Sequence, residues 1–131
     1  MNDKLRRKDL IYPELSYQII GSLFDVWKEL KFGHKEKIYQ KALAEALKER
    51  NINFTRENPA RIRYKEKIIG IYYFDFLIDN KIVLELKVRN FFSKKDIDQL
   101  YSYLRVKKLN LGIIAHFTKT GVKFKRIVNL N

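Results

Sequence analysis

Residues 71–89 read IYYFDFLIDNKIVLELKVR, and this stretch decides the fold. It predicts two β-strands joined by a short turn, with Asp75 on the first strand and Glu85 and Lys87 on the second. Most of the other side chains are apolar, so two carboxylates and an ammonium group are unusual among them. Two strands that are apolar on both sides are typical of a sheet interior covered by helices.

Side chains alternate along a strand, so each predicted strand has two faces. On the first strand, one face carries Ile71, Tyr73, Asp75 and Leu77, and the other carries Tyr72, Phe74, Phe76 and Ile78. On the second strand, one face carries Ile82, Leu84 and Leu86, and the other carries Val83, Glu85 and Lys87.

The length of the turn determines whether the two carboxylates meet. A two-residue loop would pair Ile78 with Lys81 and leave Asp75 and Glu85 on opposite faces of the hairpin. A three-residue loop would pair Ile78 with Ile82 and place the two carboxylates directly opposite each other. We predict a loop with an odd number of residues, and a structure with the carboxylates on opposite faces would contradict the site developed below.

The rest of the chain predicts one α/β domain over residues 1–131, which begins with a basic segment at residues 1–13. Two helices are expected at residues 14–30 and 35–50, followed by a polar connection. The predicted strands lie at residues 61–64, around Asp75, around Glu85, at residues 111–117 and at residues 122–128. A third helix starts at Ser93, with Asp96 as its capping-box partner. The order is therefore ααβββαββ, with a mixed β-sheet flanked by helices.

The third helix connects the Glu85 strand to the strand at residues 111–117. Such a crossover is expected to be right-handed and to join parallel strands. It would bring the first half of the helix, which carries Gln99, near the carboxyl end of the Glu85 strand. Glu85, Lys87 and Gln99 are therefore predicted to face one cleft.

The composition narrows the classes of function. The chain has 28 Lys and Arg against 15 Asp and Glu, a formal charge of +13, which favours a polyanionic partner such as nucleic acid. It has no cysteine and two distant histidines, which argues against disulfides and against a zinc site. The charged start and the absence of a long apolar run predict a cytoplasmic protein with no membrane partner.

The carboxylates and the lysine together predict a metal-dependent hydrolase. Asp75, Glu85 and Glu36 offer oxygen ligands of the kind that Mg²⁺ or Mn²⁺ prefers. Lys87 could orient an attacking water or stabilise charge developing on a phosphate. Each feature alone has a commoner structural explanation, a solvated strand pair for Glu85 and Lys87 and a helix-start charge for Glu36. Their combination in a strongly basic chain favours phosphodiester hydrolysis.

The sequence resembles a known family. Residues 33–39, GHKEKIY, match the pattern that names the GxxExxY proteins, a branch of the PD-(D/E)xK nuclease superfamily. Asp75 and the ELK of residues 85–87 resemble the acidic and Glu-x-Lys motifs of that superfamily. Gln99 and Tyr103 resemble positions on the helix that follows, and the resemblance extends over roughly residues 14–128.

This resemblance implies a restriction-endonuclease-like core and a metal-dependent nuclease site. Asp75 and Glu85 would be metal ligands, and the Leu86 carbonyl would add a third. Glu36 would be a further ligand or a water-mediated partner, and Lys87 would be the catalytic lysine. Gln99 would support the site or contact the nucleic-acid backbone. The chain has His116 where the family commonly has Asn.

Nucleic acid, with DNA as the expected substrate, is the predicted partner. The residues expected to contact it are Tyr39, Tyr103, Arg89, Lys94 and Lys95. Two alternatives remain open, a nucleic-acid-binding module without turnover and a subunit of a larger nucleic-acid-processing or defence assembly. The sequence does not separate DNA from RNA or single from double strands, and a homodimer is plausible for so small a domain.

Overall fold

The structure is a computed structural model that describes residues 11–130. Most of the basic segment predicted at residues 1–13 therefore lies outside the described residues. The helices are α1 (Pro13–Leu30), α2 (Glu36–Glu49) and α3 (Lys94–Lys107). The strands are β1 (Phe54–Tyr64), β2 (Lys67–Ile78), β3 (Ile82–Lys87), β4 (Leu111–Thr118) and β5 (Gly121–Val128). The predicted element order is confirmed, and no helix within residues 11–130 is long and apolar enough to cross a membrane.

The five described strands form one mixed sheet in the order β1-β2-β3-β4-β5. β3 and β4 are parallel, as the crossover through α3 predicts, and the other neighbours are antiparallel. α1 and α2 cover one face of the sheet, where buried side chains such as Leu23, Leu43 and Leu84 form the larger core cluster. α3 covers the other face, where Leu104 packs with Val83 and Ile114 in a second cluster.

The first strand is longer than the sequence predicts. β1 begins at Phe54, so the polar connection expected at residues 51–59 is largely a strand and that prediction is wrong. Pro59 lies within β1 and is tolerated because β1 is an edge strand, where a missing N–H costs no ladder hydrogen bond on its open side. The pattern did not show the strand because polar side chains dominate it.

The tip of the β1–β2 hairpin extends beyond the helices. We call residues 61–73 the hairpin arm. Within it Tyr64, Ile69 and Tyr73 are 63%, 66% and 63% exposed. The expectation that β2 is buried on both sides is therefore wrong for its first half, whose side chains are largely exposed. β3 does lie in the sheet interior, where Ile82, Leu84 and Leu86 are fully buried.

β2 also changes the faces of its side chains at Asp75. Phe76 packs in the cluster beneath α1 and α2, whereas Phe74 packs with Tyr103 of α3 at a ring distance of 4.3 Å. Alternation had put the two phenylalanines on one face. The β1 residue between the partners of Phe74 and Phe76 is Glu57, whose φ is 54°, and the β2–β3 ladder ends at Phe76. β2 is thus distorted on both edges at Asp75, which lets the strand turn there.

Candidate active site

The hairpin register brings the two strand carboxylates together. Ile78 pairs with Ile82 across a three-residue loop, so the prediction of an odd loop is confirmed. The loop residues Asp79 and Asn80 have φ values of 51° and 54°, a conformation that Asp and Asn adopt more readily than most residues. Two steps up the ladder Phe76 faces Leu84, and one further step places Asp75 opposite Glu85.

Side chains replace the backbone ladder where β2 and β3 separate. The Asp75 N–H donates to Glu85 Oε1 at 2.8 Å, and the Leu86 N–H donates to Asp75 Oδ2 at 2.7 Å. The carboxylates therefore accept hydrogen bonds that strand carbonyls would otherwise accept. These two hydrogen bonds fix both carboxylates relative to the backbone at the point where the strands separate, which we call the fork.

α2 contributes to the same site. The Gln40 side-chain amide donates from Nε2 to Asp75 Oδ1 at 3.0 Å. Gln40 lies four residues after Glu36, so the two residues share one helix face, and the charge of Glu36 raises the pKa of both Asp75 and Glu85. A role for Gln40 was not predicted from the sequence, although its spacing of four residues from Glu36 could have indicated that it shares the helix face of the site.

Burial keeps the proton affinity of both strand carboxylates high. Loss of solvent, together with the neighbouring charge of Asp75, raises the pKa of Glu85 to about 8. Loss of solvent also raises the pKa of Asp75, against the opposing hydrogen bond from the Leu86 N–H. The ammonium of Lys87 lowers both values, but it is not enough to offset burial. Without a further cation, this pair therefore holds a proton near neutral pH.

Lys87 stands next to Glu85 on the same face of β3. Its Nζ lies 3.8 Å from Glu85 Oε2, and the two side chains are 22% and 16% exposed. The contact is too long for a strong hydrogen bond, so the ammonium retains donor capacity toward a ligand. Asp75, Glu85 and Lys87 thus form one partly buried cluster that is accessible from solvent.

The residues present fit a hard divalent cation. Two carboxylates with only one nearby ammonium repel each other, and a divalent cation would relieve that repulsion. Among residues 11–130, however, no three His, Cys, Asp or Glu side chains lie close enough together to hold a metal. A metal would therefore depend on the pair Asp75 and Glu85 with backbone or water oxygens, and Glu36 acts at a longer distance.

Gln99 and Tyr103 of α3 line a groove between that helix and the hairpin arm. The residues that line this groove include neither Glu85 nor Lys87, and a single cleft shared by Glu85, Lys87 and Gln99 stays a prediction. Phe74, which forms part of the groove wall, directly precedes Asp75 in β2.

The predicted nucleic-acid contacts differ in accessibility. Tyr39 is fully buried, stacks on Phe117 at 4.4 Å and donates its hydroxyl to the Lys31 carbonyl, so it offers no surface to a nucleic acid. Arg89 forms an ion pair with Asp96 at 3.1 Å, which also draws the Asp96 carboxylate away from the predicted capping box.

The other three contacts lie on α3. Lys94 and Lys95 are exposed on its first turn. Tyr103 is 5% exposed at the groove described above. Ser93 caps this helix as predicted, because its side chain accepts the Asp96 N–H. The lysines are therefore the most exposed members of the predicted set, and Tyr103 is almost fully buried.

His116 is a buried neighbour of the site. It pairs with Lys87 in the β3–β4 register, stacks on Phe92 at 4.1 Å and is fully buried. Neither ring nitrogen has a hydrogen-bond partner in the described structure. Burial and the charge of Arg89 lower the pKa of His116 to about 4, so this ring is neutral beside Lys87 at physiological pH.

Comparison with known proteins identifies the family. Among curated protein sequences, none matches the chain. The crystal structure of SSO0001 is similar with a TM-score of 0.54 and 23% sequence identity, over 71% of this chain and 50% of that one. The chain therefore spans half the length of that protein, and the likeness supports the fold alone.

A sequence profile of the PD-(D/E)XK nuclease superfamily matches residues 13–127, which include every described helix and nearly all of the sheet. The three described helices and the five-stranded mixed sheet are consistent with the restriction-endonuclease-like fold of that superfamily. The chain therefore belongs to the PD-(D/E)XK nuclease superfamily.

Proposed function

We propose that this protein is a metal-dependent nuclease that hydrolyses phosphodiester bonds in DNA, with Asp75, Glu85 and Lys87 as its catalytic residues. Membership of the superfamily suggests a nuclease. The observation that carries the proposal is the fork of β2 and β3, where two buried carboxylates meet and an ammonium lies 3.8 Å from one of them. The motif at residues 33–39 is the reason for placing the chain in the GxxExxY branch.

Mg²⁺ or Mn²⁺ is the proposed cofactor. Asp75 and Glu85 would hold it, with the Leu86 carbonyl as a third donor and Glu36 as a partner through water. When bound, the cation supplies neutralisation of phosphate charge and a lowered pKa of a coordinated water. Glu85 must be ionised in that state, and a neighbouring cation would favour its ionisation because it offsets the effect of burial.

The protein's own groups then have separate tasks. Gln40 donates to Asp75 Oδ1 and the Leu86 N–H donates to Oδ2, so the Asp75 carboxylate is held in one orientation. Lys87 has donor capacity on the open side of Glu85, where it would orient the attacking water or stabilise negative charge that develops on the phosphate. Removal of Lys87 should therefore affect the chemical step more than binding.

Exposed lysines favour approach of a polyanion at the start of α3. A groove between α1 and α2, the helices on the opposite face of the sheet, is lined by four acidic side chains and one lysine: Asp25, Glu29, Glu45, Glu49 and Lys28. On the α3 side, Lys94 and Lys95 are exposed near the carboxyl end of β3. These lysines would bind the phosphate backbone with little dependence on base sequence. Two copies could act on the two strands of a duplex, and sedimentation with DNA would detect such a dimer.

Cleavage assays test the proposal directly. Labelled linear, circular and branched DNA, and RNA, are incubated with Mg²⁺, Mn²⁺ or chelator, and the wild type is compared with Glu85→Gln and Lys87→Ala. Cleavage should require the divalent cation and fall by about 100-fold or more in both variants. Glu45→Gln is the matched control, because Glu45 is 70% exposed on α2.

Two outcomes would contradict the assignment. Equal cleavage by Glu85→Gln and the wild type would exclude the proposed site. Absence of cleavage on all substrates, with salt-sensitive binding intact and independent of metal, would instead favour a binding module. Cleavage of RNA but not DNA would correct the substrate while retaining the site.

A further inference from the structure

The groove between α3 and the hairpin arm adjoins the catalytic carboxylates. It has a volume of about 360 Å³, which falls in the lower part of the usual range for small-molecule sites. Residues of β1, β2 and α3 line it, among them Arg61, Tyr72, Phe74, Lys95, Gln99 and Tyr103. Phe74, which lines the groove, directly precedes Asp75 in β2, so the groove and the carboxylate pair involve consecutive residues of that strand.

The walls of the groove suit a planar aromatic ring. Phe74 and Tyr103 pack against each other at a ring distance of 4.3 Å and form one side of it. Tyr72 is 46% exposed, so much of its ring remains free for a further stacking contact. Aromatic side chains bind nucleobases by stacking whatever the base, because every base has a π-face.

Polar groups at the groove would recognise the rest of a nucleotide. Arg61 and Lys95 both line it, and the ion pairs among residues 11–130 use neither of them. Two cations outside those ion pairs, beside an aromatic surface, suit a nucleotide, because a cation can bind its phosphate and an aromatic ring can stack on its base. The Gln99 amide adds a donor and an acceptor that could bond a base edge.

We infer that this groove receives an unpaired nucleotide of the substrate nucleic acid, next to the phosphate that enters the catalytic site. A paired base inside a duplex keeps both faces stacked and cannot reach an aromatic recess unless it is extruded. Substrates that already contain unpaired nucleotides, such as single strands, bulges and branches, are therefore preferred over an uninterrupted duplex. This inference rests on the proposed function for the position of the phosphate, but the binding itself needs no cleavage.

Two adjacent tyrosines provide a matched pair of variants. Tyr72 and Tyr73 are both exposed and lie on the same strand, but only Tyr72 lines the groove. Binding is measured by fluorescence anisotropy in chelator, in the Glu85→Gln background, with labelled single-stranded DNA, the same strand in a duplex, and a duplex with one bulged nucleotide. A single-stranded RNA of the same sequence separates the two kinds of nucleic acid.

The groove makes a specific prediction for these variants. Tyr72→Ala should weaken binding of the single strand and of the bulged duplex roughly 5- to 100-fold, as loss of one stacked base does, and should leave duplex binding within about twofold. Tyr73→Ala should leave all affinities within about twofold of the parent. Ser102→Trp, which would fill the groove from the exposed side of α3, should have the same selective effect as Tyr72→Ala.

The alternative results are distinct. Equal affinity of the parent protein for the three DNAs, or equal loss in Tyr72→Ala and Tyr73→Ala, would overturn the inference and indicate binding through charge alone. Failure of the nuclease proposal would appear in another assay, as absence of metal-dependent cleavage by the wild type. Tyr72-dependent binding of unpaired DNA would remain informative in that case, because it is measured without metal or turnover.

Discussion

Glu85→Gln should stabilise the metal-free protein at alkaline pH. Glu85 is 16% exposed and its pKa is raised to about 8 by burial and by the charge of Asp75. Glutamine is similar in shape and keeps an oxygen that can accept the Asp75 N–H, so the 2.8 Å hydrogen bond can persist. The variant removes the ionisable group and leaves most of the local packing in place.

The sign and size of this change in stability follow from the pKa values of Glu85 in the folded and the unfolded protein. Because the folded pKa of about 8 exceeds the ordinary value of 4.5, the folded protein holds a proton that the unfolded chain releases between these values. The stabilising contribution is complete below pH 4.5 and is lost as pH rises to 8. The interval is about 3.5 pH units at about 1.4 kcal/mol per unit, which gives a loss on the order of 5 kcal/mol.

Urea unfolding in chelator, followed by circular dichroism at about pH 5 and about pH 8.5, measures this effect. The free energy of unfolding of Glu85→Gln minus that of the wild type should increase by several kcal/mol from the lower to the higher pH. Taking this difference cancels the titration of groups that do not interact with Glu85, and Glu45→Gln should show no such change. If the wild type and Glu85→Gln have parallel pH profiles, Glu85 ionises normally and the argument from burial fails.

Three further predictions concern residues around the site. The wild type should lose stability on the order of 3 kcal/mol as pH falls from 6.5 to about 4, because the pKa of His116 in the folded protein is about 2.5 pH units below its ordinary value. His116→Asn should remove this loss, and unfolding measured at both pH values checks the prediction. Gln40→Ala should lower the cleavage rate about 10-fold with DNA affinity unchanged, since it removes the hydrogen bond that orients Asp75, and an equal loss of affinity would argue against this role. Gly112→Ala should destabilise the fold by roughly 1–3 kcal/mol, because the added Cβ would lie 2.8 Å from Leu100 Cδ2, and an unchanged urea midpoint would show that α3 can move to accommodate it.

The sequence was sufficient to predict the central hairpin because the loop length and the alternation of side chains agree there. Only one loop length aligns Ile78 with Ile82, and that register also places Asp75 opposite Glu85. The alternation in β3 was equally informative, since a strand in the sheet interior has helices on both faces and a slip of one residue would reverse its side chains. The superfamily was indicated by the resemblance of residues 33–39, Asp75 and residues 85–87 to its motifs, and the element order by the apolar periodicity along the rest of the chain.

The hairpin arm and the groove could not be predicted from local patterns. Apolar periodicity reports which side chains avoid water on average, but not whether a neighbouring element is long enough to cover them. Ile69 and Tyr73 resemble a buried strand in sequence, yet they lie beyond the helices. Gln40 and Gln99 acquire their surroundings only when α2 and α3 pack on the sheet, and the change of face at Phe74 depends on distortion in the neighbouring strand.

The hydrogen bonds at the fork show that the two acids are needed by the sheet itself, whereas the lysine is not. Asp75 and Glu85 accept the N–H groups of Leu86 and Asp75, so the sheet needs hydrogen-bond acceptors at these two positions whether or not the protein cleaves anything. Lys87 contributes only its ion pair to Glu85 in the described structure. A relative that has lost activity would therefore be expected to retain Asp, Asn, Glu or Gln at the positions of Asp75 and Glu85, whereas the position of Lys87 could be occupied by other residues. Under the proposed function, the lysine, more than the acids, is the residue by which active and inactive relatives of this protein would be told apart.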